Sequence, residues 1–206
     1  MALSTKAIRR RMRSVRNTKK ITKAMELVSA SKMRKAVQAV LLSRSYAHTA
    51  WDAVLNILQR VLRENHPLLL SRESVKKTCY VLITSNRGLC GGFNSQIITR
   101  AIKNTEQWSG IHTDWIVLGK KGGEALARAK KNIIAEFPKP DLVSGVSDIL
   151  VVSKMIIDGF LEGLYDEVFV VYTDFISALS QKPRIKKILP FSVEKDNELG
   201  SMRGDE

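Results

Sequence analysis

Cysteine is nearly absent from this 206-residue chain, which carries only Cys79 and Cys90. Their spacing matches no metal-ligand pattern, so neither a disulfide framework nor a zinc site has support, and two reduced thiols are expected. Glycine and proline are missing from Met1 to His66, with Pro67 the first breaker, so nothing in that stretch interrupts a helix. Aromatic side chains are missing from Met1 to Ser45, and Tyr46 and Trp51 are the first. No apolar run approaches the ~18 residues needed to cross a bilayer, and Met1 to Thr5 does not read as the opening of a signal peptide. The chain is expected not to be integral to a membrane. Its Arg-rich, acid-poor start has the composition of a mitochondrial presequence, yet the helical pattern runs past residue 60 without a small-residue cleavage pattern and reads as mature protein.

Acids are the other scarcity. The first 36 residues hold one, Glu26, beside twelve Lys or Arg, and so supply +11 of the formal +14; residues 37–206 carry only +3. Those cations (Lys6, Arg9, Arg10, Arg11, Arg13, Arg16, Lys19, Lys20, Lys23, Lys32, Arg34 and Lys35) repel one another at i, i+3 and i, i+4, by a few tenths of a kcal/mol per pair. Beneath them runs an apolar stripe, Ile8, Met12, Val15, Thr18, Ile21, Met25 and Val28, with steps of three or four. This is a charged helix with one face to bury. If most of residues 1–66 is helical, the rod is on the order of 80 to 90 Å long, too long to wrap one small core. The small residues Ala24, Ser29, Ala30, Ser31, Ala36 and Ala39 allow close helix approach, although helix propensity alone also explains them. A basic stripe of this kind suits phosphate backbones, anionic lipid or an acidic protein surface, and charge alone does not choose.

After Pro67 the texture changes. Short β-rich runs alternate with helical stretches, the pattern of an α/β domain with a mostly parallel sheet, and the boundary falls near residues 66–77. Strands are predicted at Cys79–Thr84, Trp115–Leu118, Ile133–Phe137 and Val168–Tyr172, with Ile185–Leu189 a further edge strand. Helices are predicted over about Ser95–Gln107, Gly122–Lys131 and Val146–Leu164. From Ser192 onward the residues are polar and acidic without periodicity, and this end is expected to fray. The 44% hydrophobic content supports a folded core.

Motifs for chemistry are weak. Ser85–Asn94 (SNRGLCGGFN) follows a strand and precedes a helix, as a dinucleotide-binding turn does, but its glycines do not make G-x-G-x-x-G, and there is no Walker lysine. No nucleotide is expected there. Gly119, Gly122 and Gly123 around Lys120 and Lys121 raise a phosphate site more faintly, and a loop with solvated lysines is the plainer reading. His48, His66 and His112 lie far apart and near no cluster of carboxylates or cysteines, so they read as surface or interface residues. No G-x-S-x-G elbow occurs. Catalytic, cofactor-binding and metal residues are all expected to be absent.

Two segments taken together resemble a known family. IRRRMRSVRNTKKITKAMELVSASKMRKA (Ile8–Ala36) and SNRGLCGGFN are similar to the two signatures of the gamma subunit of F-type ATP synthases, and FISALSQKPRIKKILPF (Phe175–Phe191) resembles that family's segment near the end of its α/β domain. The order of elements fits as well. The resemblance implies a non-catalytic central-stalk rotor of a proton-translocating ATP synthase, with a coiled-coil shaft over residues 1–66 and a Rossmann-like α/β foot over 76–191, while residues 192–206 read from their composition as a polar tail. It implies a hetero-oligomer with the alpha and beta subunits, the epsilon subunit and the c-ring, without cofactor or nucleic acid, and attached to a membrane only through the complex. The cytoplasmic face of a bacterial cell membrane is the expected location. Arg9, Arg10, Lys20 and Lys23 are the implied contacts to acidic surfaces of the alpha/beta ring, and Met25, within KAMELV, a rotor–stator contact. The family also implies a second long helix paired antiparallel with the first, and these 206 residues hold no counterpart. No cysteine-bearing regulatory insert of the chloroplast kind is present, so redox control through Cys79 and Cys90 is not expected. The alternative from another class is a nucleic-acid-binding module built on the basic helix, which would call for aromatics among the charges. An NAD enzyme lacks both the fingerprint and its ribose-binding acid.

Overall fold

A computed structural model describes residues 4–58, 60, 66–108, 110–139 and 147–191. The predicted tail at 192–206 and the expected helix start at Val146 lie outside them. The first element is one unbroken helix, α1 (Thr5–Leu58), of 54 residues, about 80 Å at 1.5 Å per residue. The chain divides into two compact units, one carrying this helix as far as Val54 and the other running from Leu55 to Lys195.

In the first unit the stripe is laid out as its spacing requires, and it is uncovered. Ile8 is 45% exposed, Met12 51%, Val15 62%, Ile21 62%, Met25 49% and Val28 58%. These values show a helix whose apolar face, among the described residues, stays about half exposed.

The second unit is an α/β layer structure. Its elements are β1 (Lys77–Ile83), α2 (Phe93–Glu106), β2 (His112–Leu118), α3 (Lys120–Arg128), β3 (Asn132–Phe137), α4 (Ser147–Leu161), β4 (Glu167–Phe175) and β5 (Gln181–Leu189). The sheet order is β3-β2-β1-β4-β5. β1 lies parallel to both β2 and β4, β2 parallel to β3, and only β5 is antiparallel, returning beside β4. The mostly parallel α/β sheet expected from the sequence is thus present. Being central and covered on both sides, β1 buries five residues in succession, which is why it reads as a continuous apolar run. Pro183 sits in β5, where an edge strand tolerates a missing N–H.

Alternation along the strands sends side chains to two cores. Cys79, Val81, Ile116 and Val168 meet Val152, Ile156 and Phe160 of α4 on one face. Tyr80, Leu82, Trp115, Val117 and Val171 meet Ile97 and Ala101 of α2 and Leu126 of α3 on the other.

Strand starts differ from the sequence expectation in a consistent direction, each falling earlier than the apolar run. β1 starts at Lys77 rather than Cys79 and β2 at His112 rather than Trp115, because the ladder continues past the buried segment: Thr78 pairs in register with Thr113, and their hydroxyls lie 3.2 Å apart. Hydrophobicity marks where a strand is buried, whereas its hydrogen bonds run further. α4 stops at Leu161 instead of Leu164, since Gly163 at φ +76 turns the chain and Leu164 N–H donates back to the Gly159 carbonyl at 2.8 Å.

Candidate functional site

Three places were singled out by sequence: the basic face of α1, the turn Ser85–Asn94, and the glycines around Lys120. The last is corrected by the structure. Lys120–Gly123 is the first turn of α3, not a loop of solvated lysines, and Gly122 and Gly123 are buried. Thr84, fully buried at the end of β1, explains the glycines. Its hydroxyl donates to the Gly119 carbonyl and accepts from Gly122 N–H, both at 2.9 Å. A Cβ on Gly119 would come within 2.3 Å of the Thr84 carbonyl oxygen, and Gly119 has φ +103. A Cβ on Gly122 would meet the Thr84 hydroxyl and a Val117 methyl at 2.9 Å. These glycines let a helix start approach a strand end. Lys121 donates to Glu124 at 2.7 Å, and that hydrogen bond holds the Glu124 carboxyl below its ordinary range.

The turn after β1 is fastened by its own side chains. Asn94 accepts from Ser85 N–H at 3.1 Å and donates to the Ser85 hydroxyl at 2.8 Å. Asn86 donates to the Lys139 carbonyl at 2.7 Å and accepts from Lys139 N–H at 3.2 Å, tying the turn to the segment after β3. Helix α2 starts two residues earlier than the apolar pattern indicates, at Phe93, with no side-chain cap. Leu89 (φ +64, 95% exposed) projects from the turn.

The two thiols differ. Cys90 is exposed, while Cys79 is buried and its thiol is pushed up to about 12, first by burial and then by the nearby Asp114 carboxylate. Burial, with Glu167 adding to it, raises the Tyr80 hydroxyl to about 12; it donates to Asn104 at 2.8 Å. Among the described residues no group of three or more His, Cys, Asp or Glu is placed to hold a metal, and no helix is long and apolar enough to cross a membrane. Each histidine has a local role instead. His48 pairs with Asp52 at 2.9 Å one turn along α1, His112 with Asp114 at 2.9 Å, and His66 accepts from Leu68 N–H at 3.3 Å.

On α1 the five candidate contacts, Arg9, Arg10, Lys20, Lys23 and Met25, are all exposed, but they do not form one patch. Arg9, Lys20 and Lys23 border one shallow depression along the helix together with Arg13 and Arg16. At about 100° per residue the series 9, 13, 16, 20, 23 stays on one side, Arg10 is turned by about a quarter circle, and Met25 faces nearly opposite to Lys23. Lys23 also holds Glu26 at 3.1 Å. Arg13 and Arg16 were therefore missed as members of this row, though their 4-3-4-3 spacing is visible in the sequence.

Comparison with known proteins places this geometry. A family model described as ATP synthase matches residues 4–205. The ATP synthase gamma chain of Roseiflexus castenholzii is 40% identical over 190 residues, covering 91% of this chain and 66% of the relative. That of Nitrosomonas europaea is 32% identical over 204 residues, covering 98% of this chain and 68% of the relative. The central stalk and c-ring structure of the Tetrahymena thermophila mitochondrial ATP synthase aligns with a TM-score of 0.59 at 26% identity, over 82% of this chain and 72% of that one. A rotor structure from the Euglena gracilis enzyme has the same TM-score at 18% identity, over 89% of this chain and 63% of that one, and speaks for the fold alone. The chain belongs to the ATP synthase gamma chain family. It spans about two thirds of the length of the curated relatives it matches.

Proposed function

We propose that this chain is the central-stalk rotor subunit of an F-type ATP synthase, carrying torque between a membrane ring and the nucleotide-processing head. The observation that carries this reading is a 54-residue helix with an exposed apolar stripe, fused to a separate α/β unit, in a chain 40% identical to a gamma chain. A stiff rod with an uncovered stripe is suited to turning inside a sleeve of other subunits, and the α/β unit gives it a broad base. Residues 1–66 are the shaft and 76–191 the foot. Catalysis belongs to other subunits, and the proton flow that drives rotation passes through the membrane ring.

The partners on this reading are the alpha and beta subunits around the shaft and the epsilon subunit and c-ring at the foot. The chain then sits at the cytoplasmic face of a bacterial membrane, held there through the complex. The row Arg9, Arg13, Arg16, Lys20, Lys23 meets acidic surfaces of the ring, with Arg10 beside it, while Met25 on the far side packs in a sliding contact. The nucleic-acid alternative draws no support from any relative found. The test is reconstitution of this chain with alpha and beta subunits. Co-elution as one complex that hydrolyses ATP with rotation of a labelled foot is the expected result, and a chain that stays apart from the alpha/beta ring at low and high salt overturns the reading.

A further inference from the structure

The α/β unit has a second uncovered surface, unrelated to α1. On the face of Tyr80, Trp115 and Val171, helix α2 packs over β4 and β5, and α3 packs over β2 and β3. The flank of α2 that looks away from α3 borders a groove of about 880 Å³ whose floor is Phe169, Pro183 and Ile185. Its wall is one stripe of α2, with Gln96, Arg100, Lys103 and Gln107 at helical spacing, and Trp108, 57% exposed, closes one end. Two cations and no carboxylate line it.

We infer that this groove docks an acidic amphipathic helix of a partner polypeptide, laid alongside α2. Three observations select that occupant. The apolar floor lies between a helix and an edge strand, where one more helix would continue the layer that α2 and α3 begin. The wall from Ser95 to Trp108 is about 20 Å long, three to four helical turns, which matches an amphipathic helix with anchors at i, i+3 and i+7. Arg100 and Lys103, exposed and one turn apart, match carboxylates on the rim of such a helix. The inference is independent of the rotor reading.

The probe is a synthetic 15-residue peptide with leucines at i, i+3, i+4 and i+7 and glutamates on the flanks, titrated into the full chain. Affinity is measured calorimetrically and the contact mapped by amide hydrogen exchange. Slowed exchange over residues 95–108 and 181–187 is expected, with at least tenfold weaker binding to the double variant R100E/K103E and a milder loss for R100Q/K103Q. Both positions are exposed, and circular dichroism checks that the variants fold. Three results overturn the inference: exchange slowed only along α1, unchanged affinity in both double variants, or equal binding by a peptide of the same composition with strand-type alternation.

Discussion

The two units of this chain use hydrophobic side chains in opposite ways. In the α/β unit Trp115, Leu82, Ile97, Val168 and Val171 are fully buried in the two cores that flank the sheet. In α1 the side chains from Ile8 to Val28 follow an equally regular period yet stay about half exposed. The first pattern is a fold that closes on itself. The second leaves its apolar face open, and burial at ~25 cal/mol per Å² of apolar surface is what would offset an ordering cost of ~1 to 2 kcal/mol per residue.

That contrast is sharpest under truncation. Leu82→Ala should cost the α/β unit about 2–5 kcal/mol, read as a lower urea midpoint, because it empties a site with no exposure. Ile21→Ala in the isolated chain should move the same transition by less than about 0.5 kcal/mol, since its side chain is already in water. Equal effects would erase the distinction between the units.

Glycines offer a finer comparison within the second unit. Gly119→Ala should destabilise by about 1–3 kcal/mol, since the new methyl meets the Thr84 carbonyl in a backbone conformation that favours glycine. Gly88→Ala, with nothing within 4 Å of its Cβ position, should change stability by under about 0.5 kcal/mol.

High pH should separate the units too. Cys79, Tyr80 and Tyr165 all have hydroxyl or thiol groups raised by burial to about 12. Between their ordinary values of 9.0 to 10.0 and about 12 the unfolded state has lost protons that the folded state keeps, so their contribution is complete below pH 9 and is lost as pH climbs toward 12. A urea midpoint that falls over that window is expected, and one that stays flat contradicts the burial argument. At neutral pH a thiol reagent should modify Cys90 alone, with Cys79 reacting only on unfolding.

The smallest effect expected in the isolated chain concerns charge. Lys20→Glu with Lys23→Glu should leave its stability nearly unchanged but weaken association with alpha and beta subunits and reduce the salt dependence of that association. Met25→Lys should impair coupling while sparing assembly at low salt, because Met25 faces away from the basic row.

Much of this architecture was legible because burial writes itself into short windows. β1 and β4 read as apolar runs, α1 as a stripe without breakers, and β5 as an edge strand, though only from Ile185 onward rather than from Gln181. What escaped depends on residues distant in sequence. Thr84 meets Gly119 and Gly122 from 35 and 38 positions away, so the glycines looked like a loop. The groove beside α2 needs β5, about 80 residues later, for its floor. On α1 the signal was local and was read incompletely, since Arg13 and Arg16 complete the row of Arg9, Lys20 and Lys23, whereas Met25 belongs to the other side.

Amide hydrogen exchange on the 206-residue chain tests the central claim most directly. Rapid labelling over residues 7–58 is predicted, together with protection of β1 and of Val168–Tyr172 in β4. Adding alpha and beta subunits should then slow exchange along the stripe from Ile8 to Val28. Strong protection of that stripe in the monomer, without any partner, would contradict the account.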